Sequence, residues 1–297
     1  MNEYTYAILF GVIVGTLARI LMLKTDYRQY PTYLHGKIIH ASLGFIAASL
    51  GAIAVPALIE KEYTAVTLLT VAATQFRDVR NMERNTLAEI DPLELVPRGR
   101  AYIEGIAISF ESRNYLCIFS AFISTILFIY FDLSIALAGG IGSILLSLRL
   151  MSGSTIKDIA DIEYTPLKFD GAGLYVDNIY IMNIGIKERQ EEILKYGAGF
   201  IIHPKNRNVV QTLANLGQRQ AMLHDVSVSL GIFRDSGTPA LTPLIKRDLD
   251  DGRIGMFILP QNRDIDLAIK IIGAVPVLES AIRMPTESKS YHETRDE

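Results

Sequence analysis

Two carboxylates in the stretch RAYIEGIAISFESRN, Glu104 and Glu111, stand seven residues apart, and an apolar run, YLCIFSAFISTILFIYF, begins at the next residue. Positions seven apart nearly superimpose on a helix, so Glu104, Ile108 and Glu111 share one face, with Arg100 four residues before Glu104 in ion-pair range. A carboxylate pair can do acid–base chemistry when a nucleophile or a metal ligand set lies beside it. No such pattern adjoins these two, so no catalytic residue is assigned. Glu104, Glu111, Arg100 and Arg113 are instead candidates for contact with basic loop residues or a partner protein, the bland alternative being a solvated helical extension of the apolar run. A second set, Thr64, Thr67, Thr70 and Thr74, falls on one side of a helix and suits either a helix seam or the wall of a polar path.

Other residues with chemical potential lack the company they need. Gly171 and Gly173 precede an extended segment and Gly197 and Gly199 follow a helical one, whereas a dinucleotide fingerprint needs glycines after a strand and opening a helix. His203 and His224 have no third ligand near them in sequence and read as surface or cap histidines, and His35 and His40 fall on different helix faces, so no metal site is expected. Asp248, Asp250 and Asp251 before Gly252 read as a solvated turn without the ligand spacing of a calcium loop. In RDSGTPALTP, Ser236, Gly237 and Thr238 could cradle a ligand, though a plain turn explains them. Cys117 lies inside an apolar run as a small apolar side chain. The 29 Lys and Arg against 32 Asp and Glu are nearly balanced in each half, which gives no nucleic-acid footprint. No cofactor is implied.

The elements that position these residues belong to two unlike halves. A helix needs about 17–25 predominantly apolar residues to cross a bilayer. Stretches 4–23, 37–59, 115–131 and 133–150 meet that need, and 63–76 is a shorter, Thr-rich fifth candidate. The first has no basic n-region and no small-residue cleavage pattern, so it is expected to be a retained helix. Lys and Arg concentrate at Lys24–Lys37 and in the loop 77–114, while Glu60–Glu62 and Asp132 mark the other side. By the positive-inside rule this alternation predicts five spans, an N-terminus outside and a cytoplasmic C-terminal half. Small residues recur every four positions at Gly11 and Gly15, at Gly44, Ala48 and Ala52, and at Gly139, Ser143 and Ser147, a pattern that lets helices approach closely. Arg19, His40, Arg77, Asp132 and Arg149 fall at span ends, where they can snorkel, which argues against a proton-coupled transporter.

Residues 152–283 have the charge and punctuation of a water-soluble α/β domain with a small sheet. LYVDNIYIMNIG reads as a strand or hairpin, KERQEEILKYG as a helix ended by Gly197, and GFIIHP as a strand stopped at Pro204. Residues 206–230 read as helix, RIGMFILP as a strand, and RDIDLAIKIIGAVPVLESAI as a helix broken near Pro276. Residues 284–297 are polar and read as a disordered tail.

The string YIEGIA at Tyr102–Ala107 resembles the signature for which a membrane protein family of endospore-forming bacteria is named, and a five-span half followed by a soluble half is similar to that family's layout. The resemblance implies no reaction and carries over no catalytic residue; it implies an association with sporulation and a small capping subunit as partner. The expectation is therefore a polytopic α-helical membrane bundle with a cytoplasmic α/β domain, in the cell or spore membrane, acting as a non-enzymatic subunit that assembles with a capping partner or with itself. A channel or permease for a small solute is the rival class.

Overall fold

The computed structural model describes residues 4–26, 34–151, 153–232, 243–289 and 291. The chain divides into two compact units, one of Met1–Thr86 and Ile106–Ser152, the other of Leu87–Gly105 and Gly153–Glu297. The division therefore departs from a simple boundary near residue 151, because the segment 87–105 clusters with the α/β unit.

The first unit is built from α1 (Thr5–Asp26), α2 (Leu34–Ile59), most of α3 (Tyr63–Ile90), most of α4 (Arg100–Tyr130) and α5 (Leu133–Met151). Among the described residues four helices are long and apolar enough to cross a membrane: Thr5–Leu23, Gly36–Ile59, Arg100–Tyr130 and Leu133–Met151. The stretch 63–76 is the first half of α3, which runs on as helix through Arg77, Asp78 and Arg80 to Ile90. Those charges follow Phe76 directly and leave the apolar part short of the ~17–25 residues of a crossing helix. The expected loop 77–114 is largely helical as well, since α4 begins at Arg100, well before the apolar run.

Small residues set the packing of this unit. A Cβ on Gly15 would lie 2.7 Å from the Ala48 Cβ and 2.9 Å from the Cys117 carbonyl oxygen, and one on Gly11 would lie 2.8 Å from the Ala121 carbonyl oxygen. Ala47, Ala48, Ala52 and Ala121 are fully buried, so α1, α2 and α4 meet almost backbone to backbone. Ser120 and Ser147 share a 2.9 Å hydroxyl contact that ties α4 to α5. The opposite face of α1, with Leu9, Ile13, Leu17 and Ile20, is exposed, an exterior that suits hydrocarbon.

The second unit contains two antiparallel sheets. The strands β1 (Ala160–Thr165), β5 (Ala198–Pro204), β6 (Leu244–Arg247) and β7 (Ile254–Ile258) form one in the order β1-β5-β7-β6. A meander of β2 (Leu167–Asp170), β3 (Gly173–Val176) and β4 (Ile179–Asn183) forms the other. The central strands β5 and β7 are covered on both faces and accordingly read as near-continuous apolar runs. Leu174, Val176, Ile181, Ile193, Ile201 and Phe257 lie in the shared core. The helices are α6 (Ile156–Ile159), α7 (Lys187–Tyr196), α8 (Arg207–Ala214), α9 (Leu216–Leu230) and α10 (Ile265–Ala274).

Local chemistry fixes where these helices begin. Asn206 caps α8 by accepting from the Val209 N–H at 3.0 Å, and Asn215 ends α8 and caps α9 by accepting from the Gln218 N–H at 3.1 Å. Pro276 has no N–H to continue α10, which stops at Ala274. The polar stretch after residue 283, expected to be disordered, starts with a placed 3-10 turn at Pro285–Glu287. The Thr286 N–H and the Asn208 side chain hold it, with Asn208 Nδ2 donating to Thr286 Oγ1 at 2.7 Å.

Candidate functional site: the α4 motif and its clasp on α9

The segment leading into α4 is held from within. The Asp91 carboxylate accepts the backbone N–H groups of Arg98 (2.6 Å) and Gly99 (3.1 Å), and Glu94 pairs with Arg98 at 2.8 Å. Gly99 has φ +81°, a left-handed conformation that suits glycine, and there the chain turns into α4. This closed loop is then gripped by one face of α9. His224 Nδ1 lies 2.6 Å from the Val96 carbonyl oxygen, and Gln220 Nε2 donates to the Pro97 carbonyl. A carbonyl can only accept, so Nδ1 of His224 carries the proton. Sequence reasoning placed His224 at a surface or a cap; it is buried, at 4% exposure, because it serves this backbone contact.

The first turns of α4 complete the clasp. Tyr102 and Ile103 are buried, the Tyr102 hydroxyl donates to Asp225 Oδ2 at 3.0 Å, and its ring meets His224 edge-on with centroids 6.2 Å apart. Gly217 on α9 faces Ala101, and a Cβ on Gly105 would lie 3.2 Å from Leu278 Cδ2. Tyr102 of the motif thus spends its side chain on an interface inside the second unit. Tyr102→Phe keeps the ring against His224 and deletes the donor, so it is expected to cost about 1–2 kcal/mol, read from a thermal melt of the solubilised protein. Tyr102→Ala, which also empties the ring's space, is expected to cost about 3–5 kcal/mol.

The four sequence-predicted contact residues are divided between the two units. Arg100 is exposed at the start of α4, Glu104 is half-buried in the second unit, and Arg113 is buried in the first. Glu111 accepts from Arg80 Nη1 on α3 at 3.0 Å and from the Tyr115 hydroxyl at 3.3 Å. That pair, with Phe76 edge-on to Tyr115 at 6.3 Å, packs the charged part of α3 on α4. Thr64, Thr67, Thr70 and Thr74 are all exposed. Thr67 and Thr70 donate to the carbonyls of Tyr63 and Val66, both at 2.9 Å, and Thr74 to that of Val71 at 2.6 Å. Hydroxyls returned to their own backbone in this way have their hydrogen bonds met within the helix.

A polar cluster inside the first unit escaped the sequence reading. Arg19 and His40 were expected to snorkel from span ends, yet Arg19 is wholly buried and His40 nearly so. The Arg19 stem fills the space left by Gly44, its guanidinium lies over the Phe110 ring at 5.3 Å, and its Nη2 is 3.5 Å from His40 Nδ1. Asn114, one turn beyond Phe110 on α4, is fully buried, and neither of its amide atoms has a hydrogen-bond partner among the described residues. Gly44 was the available signal. It was read as part of a small-residue seam, but the partner it admits is an arginine.

The remaining candidates have structural roles. His203 Nε2 lies 3.8 Å from Glu163 across β1 and β5. Gly171 takes a left-handed turn at the end of β2, and a Cβ on Gly199 would meet the Thr165 carbonyl oxygen at 2.6 Å. Asp248 and Asp251 flank Arg253, which also pairs with Asp177 at 3.0 Å. Ser236, Gly237 and Thr238 lie outside the described residues.

Residues 7–288 match the model of a family described as YIEGIA protein. A relative from Bacillus subtilis (strain 168), an endospore former, is named "Uncharacterized protein YphB"; it is 60% identical over 287 residues, covering 97% of each chain. No solved structure matches this chain. With the match running through nearly all of both units and the motif itself standing at Tyr102–Ala107, the chain belongs to the YIEGIA protein family.

Proposed function

We propose that this protein is a non-enzymatic, membrane-anchored subunit of a sporulation-associated complex, whose α/β unit engages a small capping protein. The observation that carries the reading is the use of the motif: Tyr102 is buried in a clasp on α9 and Ile103 is buried beside it in the chain, so these side chains support assembly and leave no reacting group exposed. The apolar exterior of the first unit supports anchoring in a bilayer. In this reading the N-terminus is outside and the second unit is cytoplasmic in a cell or spore membrane, as the basic residues of 77–114 favour, with 63–76 as a short fifth crossing.

The test is affinity purification of the detergent-solubilised protein from sporulating cells. A small partner is expected in stoichiometric yield, and it should be lost on deletion of residues 152–297. Glu104→Gln combined with Glu111→Gln is expected to leave insertion intact and to lower partner recovery; undiminished recovery would remove both carboxylates from the contact. A second reading, a channel or permease for a small solute, is favoured by the buried Arg19–His40 pair and the buried Asn114, since polar groups buried between membrane helices commonly mark pathways. Purification without a partner, joined to solute flux in reconstituted vesicles, would put that reading first.

A further inference from the structure

The second unit carries a groove of about 610 Å³ between the 95–97 segment, α9 and the start of β6. Val96, Pro97, Leu216, Leu223, Leu244 and Ile245 supply most of its lining. Its first wall is preset, because His224 and Gln220 already hold the carbonyls of Val96 and Pro97, and Asp91 closes the loop behind them. The rim is apolar and exposed, with Leu95 and Leu216 at 55% and 75% exposure. Side chains of that size left in water on a polar unit mark a contact surface.

Charge and backbone then say what the occupant is. Arg219 lines the groove and Arg247 ends β6 beside it; burial first, and the Arg247 cation second, hold the Arg219 guanidinium below its ordinary pKa. Neither has an ion pair among the described residues, and Arg219 finds only the Ala214 carbonyl at 3.2 Å. Arg253, the residue before β7, is by contrast met by Asp177, Asp248 and Asp251. Two adjacent cations without a carboxylate favour an anionic partner group. The strand β6 is at the end of its sheet and pairs only with β7 among the described residues, an edge that suits the addition of another strand. A fatty acid could meet the apolar rim and the cations, but only a peptide backbone also matches that edge.

We propose that this groove binds an extended segment of a partner protein that adds as a strand to β6, seats apolar side chains on Leu95 and Leu216, and places an Asp or Glu carboxylate on Arg219 and Arg247. The inference rests on the assembly reading above and names its surface.

The test uses the full-length protein in detergent and a phage-displayed library of random peptides. Selected sequences are expected to alternate apolar residues with Asp or Glu. A synthetic peptide of the selected sequence is expected to lose about tenfold or more in affinity against the Arg219→Glu, Arg247→Glu double variant and to recover when its carboxylate is replaced by Lys. Leu216→Asp, at an exposed position, should weaken binding while leaving the melting temperature unchanged, which guards against a folding defect in the charge reversal. No selected peptide, binding indifferent to both variants, displacement by anionic lipid in place of peptide, or a dimer of this chain that the reversal dissociates would each overturn the proposal. Undiminished recovery of a cellular partner by the double variant would overturn the groove and leave the assembly reading standing. Charge-dependent peptide binding by a protein that purifies alone from cells would do the reverse.

Discussion

Gly51→Leu is expected to prevent the first unit from reaching its packed state, with a loss of more than about 3 kcal/mol. A Cβ at this position runs into the carbonyl of Ile118 on α4, and the next nearest atoms are the Ile118 carbonyl carbon at 2.9 Å and its Cα at 3.0 Å. All three are backbone, so no rotamer change relieves the clash; α2 and α4 must separate, and the buried surfaces of Ala47, Ala48 and Ala52 separate with them. The measurement is the fraction of detergent-solubilised protein that elutes as a single species, together with its melting temperature. Gly142→Ala is the internal control. Nothing lies within 4 Å of a Cβ there, so the only effect is the better helix propensity of Ala, a gain of up to about 1 kcal/mol. Equal behaviour of the two variants would mean that the small-residue seam is not what holds these helices together.

Gln218→Ala is the counterpart in the second unit. Gln218 is fully buried, its Nε2 donates to the Pro276 carbonyl at 3.1 Å, and its Oε1 accepts the Leu278 N–H at 2.7 Å. One side chain thus satisfies both backbone groups of the segment that follows α10, where Pro276 has broken the helix. Removing it orphans a buried donor and an acceptor, each worth about 1–3 kcal/mol, for an expected total of about 3 kcal/mol. For a unit of this size that lowers the melting temperature by roughly 6–12 °C. Gln218→Glu keeps an acceptor for Leu278 but loses the donor and buries a charge, so it is expected to be at least as damaging. A Glu variant as stable as wild type would show that the amide pair is not formed.

Periodicity, caps and breakers made much of the fold legible. The apolar runs gave α1, α2 and α5, and KERQEEILKYG gave α7 with its end at Gly197. GFIIHP and RIGMFILP gave β5 and β7, and Pro276 marked the end of α10. Each of these depends on the order of residues within a dozen positions, which is what a sequence states directly. The small-residue repeats at Gly11, Gly15, Ala48 and Ala52 were legible for the same reason, since a seam is a one-helix pattern even though its partner is elsewhere.

Long-range pairing was not legible. The antiparallel register of β1 on β5, with Glu163 opposite Ile201, joins segments about forty residues apart and leaves no local trace. Three site residues were misplaced by the same limit. Arg19 and His40 sit where a side chain could snorkel, but Gly44 opens a slot in α2 and Phe110 offers a ring, so Arg19 folds inward. His224 has no sequence neighbour that marks it, because its partner is a backbone carbonyl 128 positions away.

The sequence by itself determined that the chain has an apolar helical half and an α/β half, and it displayed the motif that names its family. Only the tertiary structure decided that Tyr102 of that motif is buried against α9, and that Arg219 and Arg247 stand together near a strand that pairs only with β7 among the described residues. The reason is physical: burial periodicity is written residue by residue along one element, whereas the partner of a buried donor or an uncompensated cation is chosen by whichever distant segment the fold brings within about 3–4 Å.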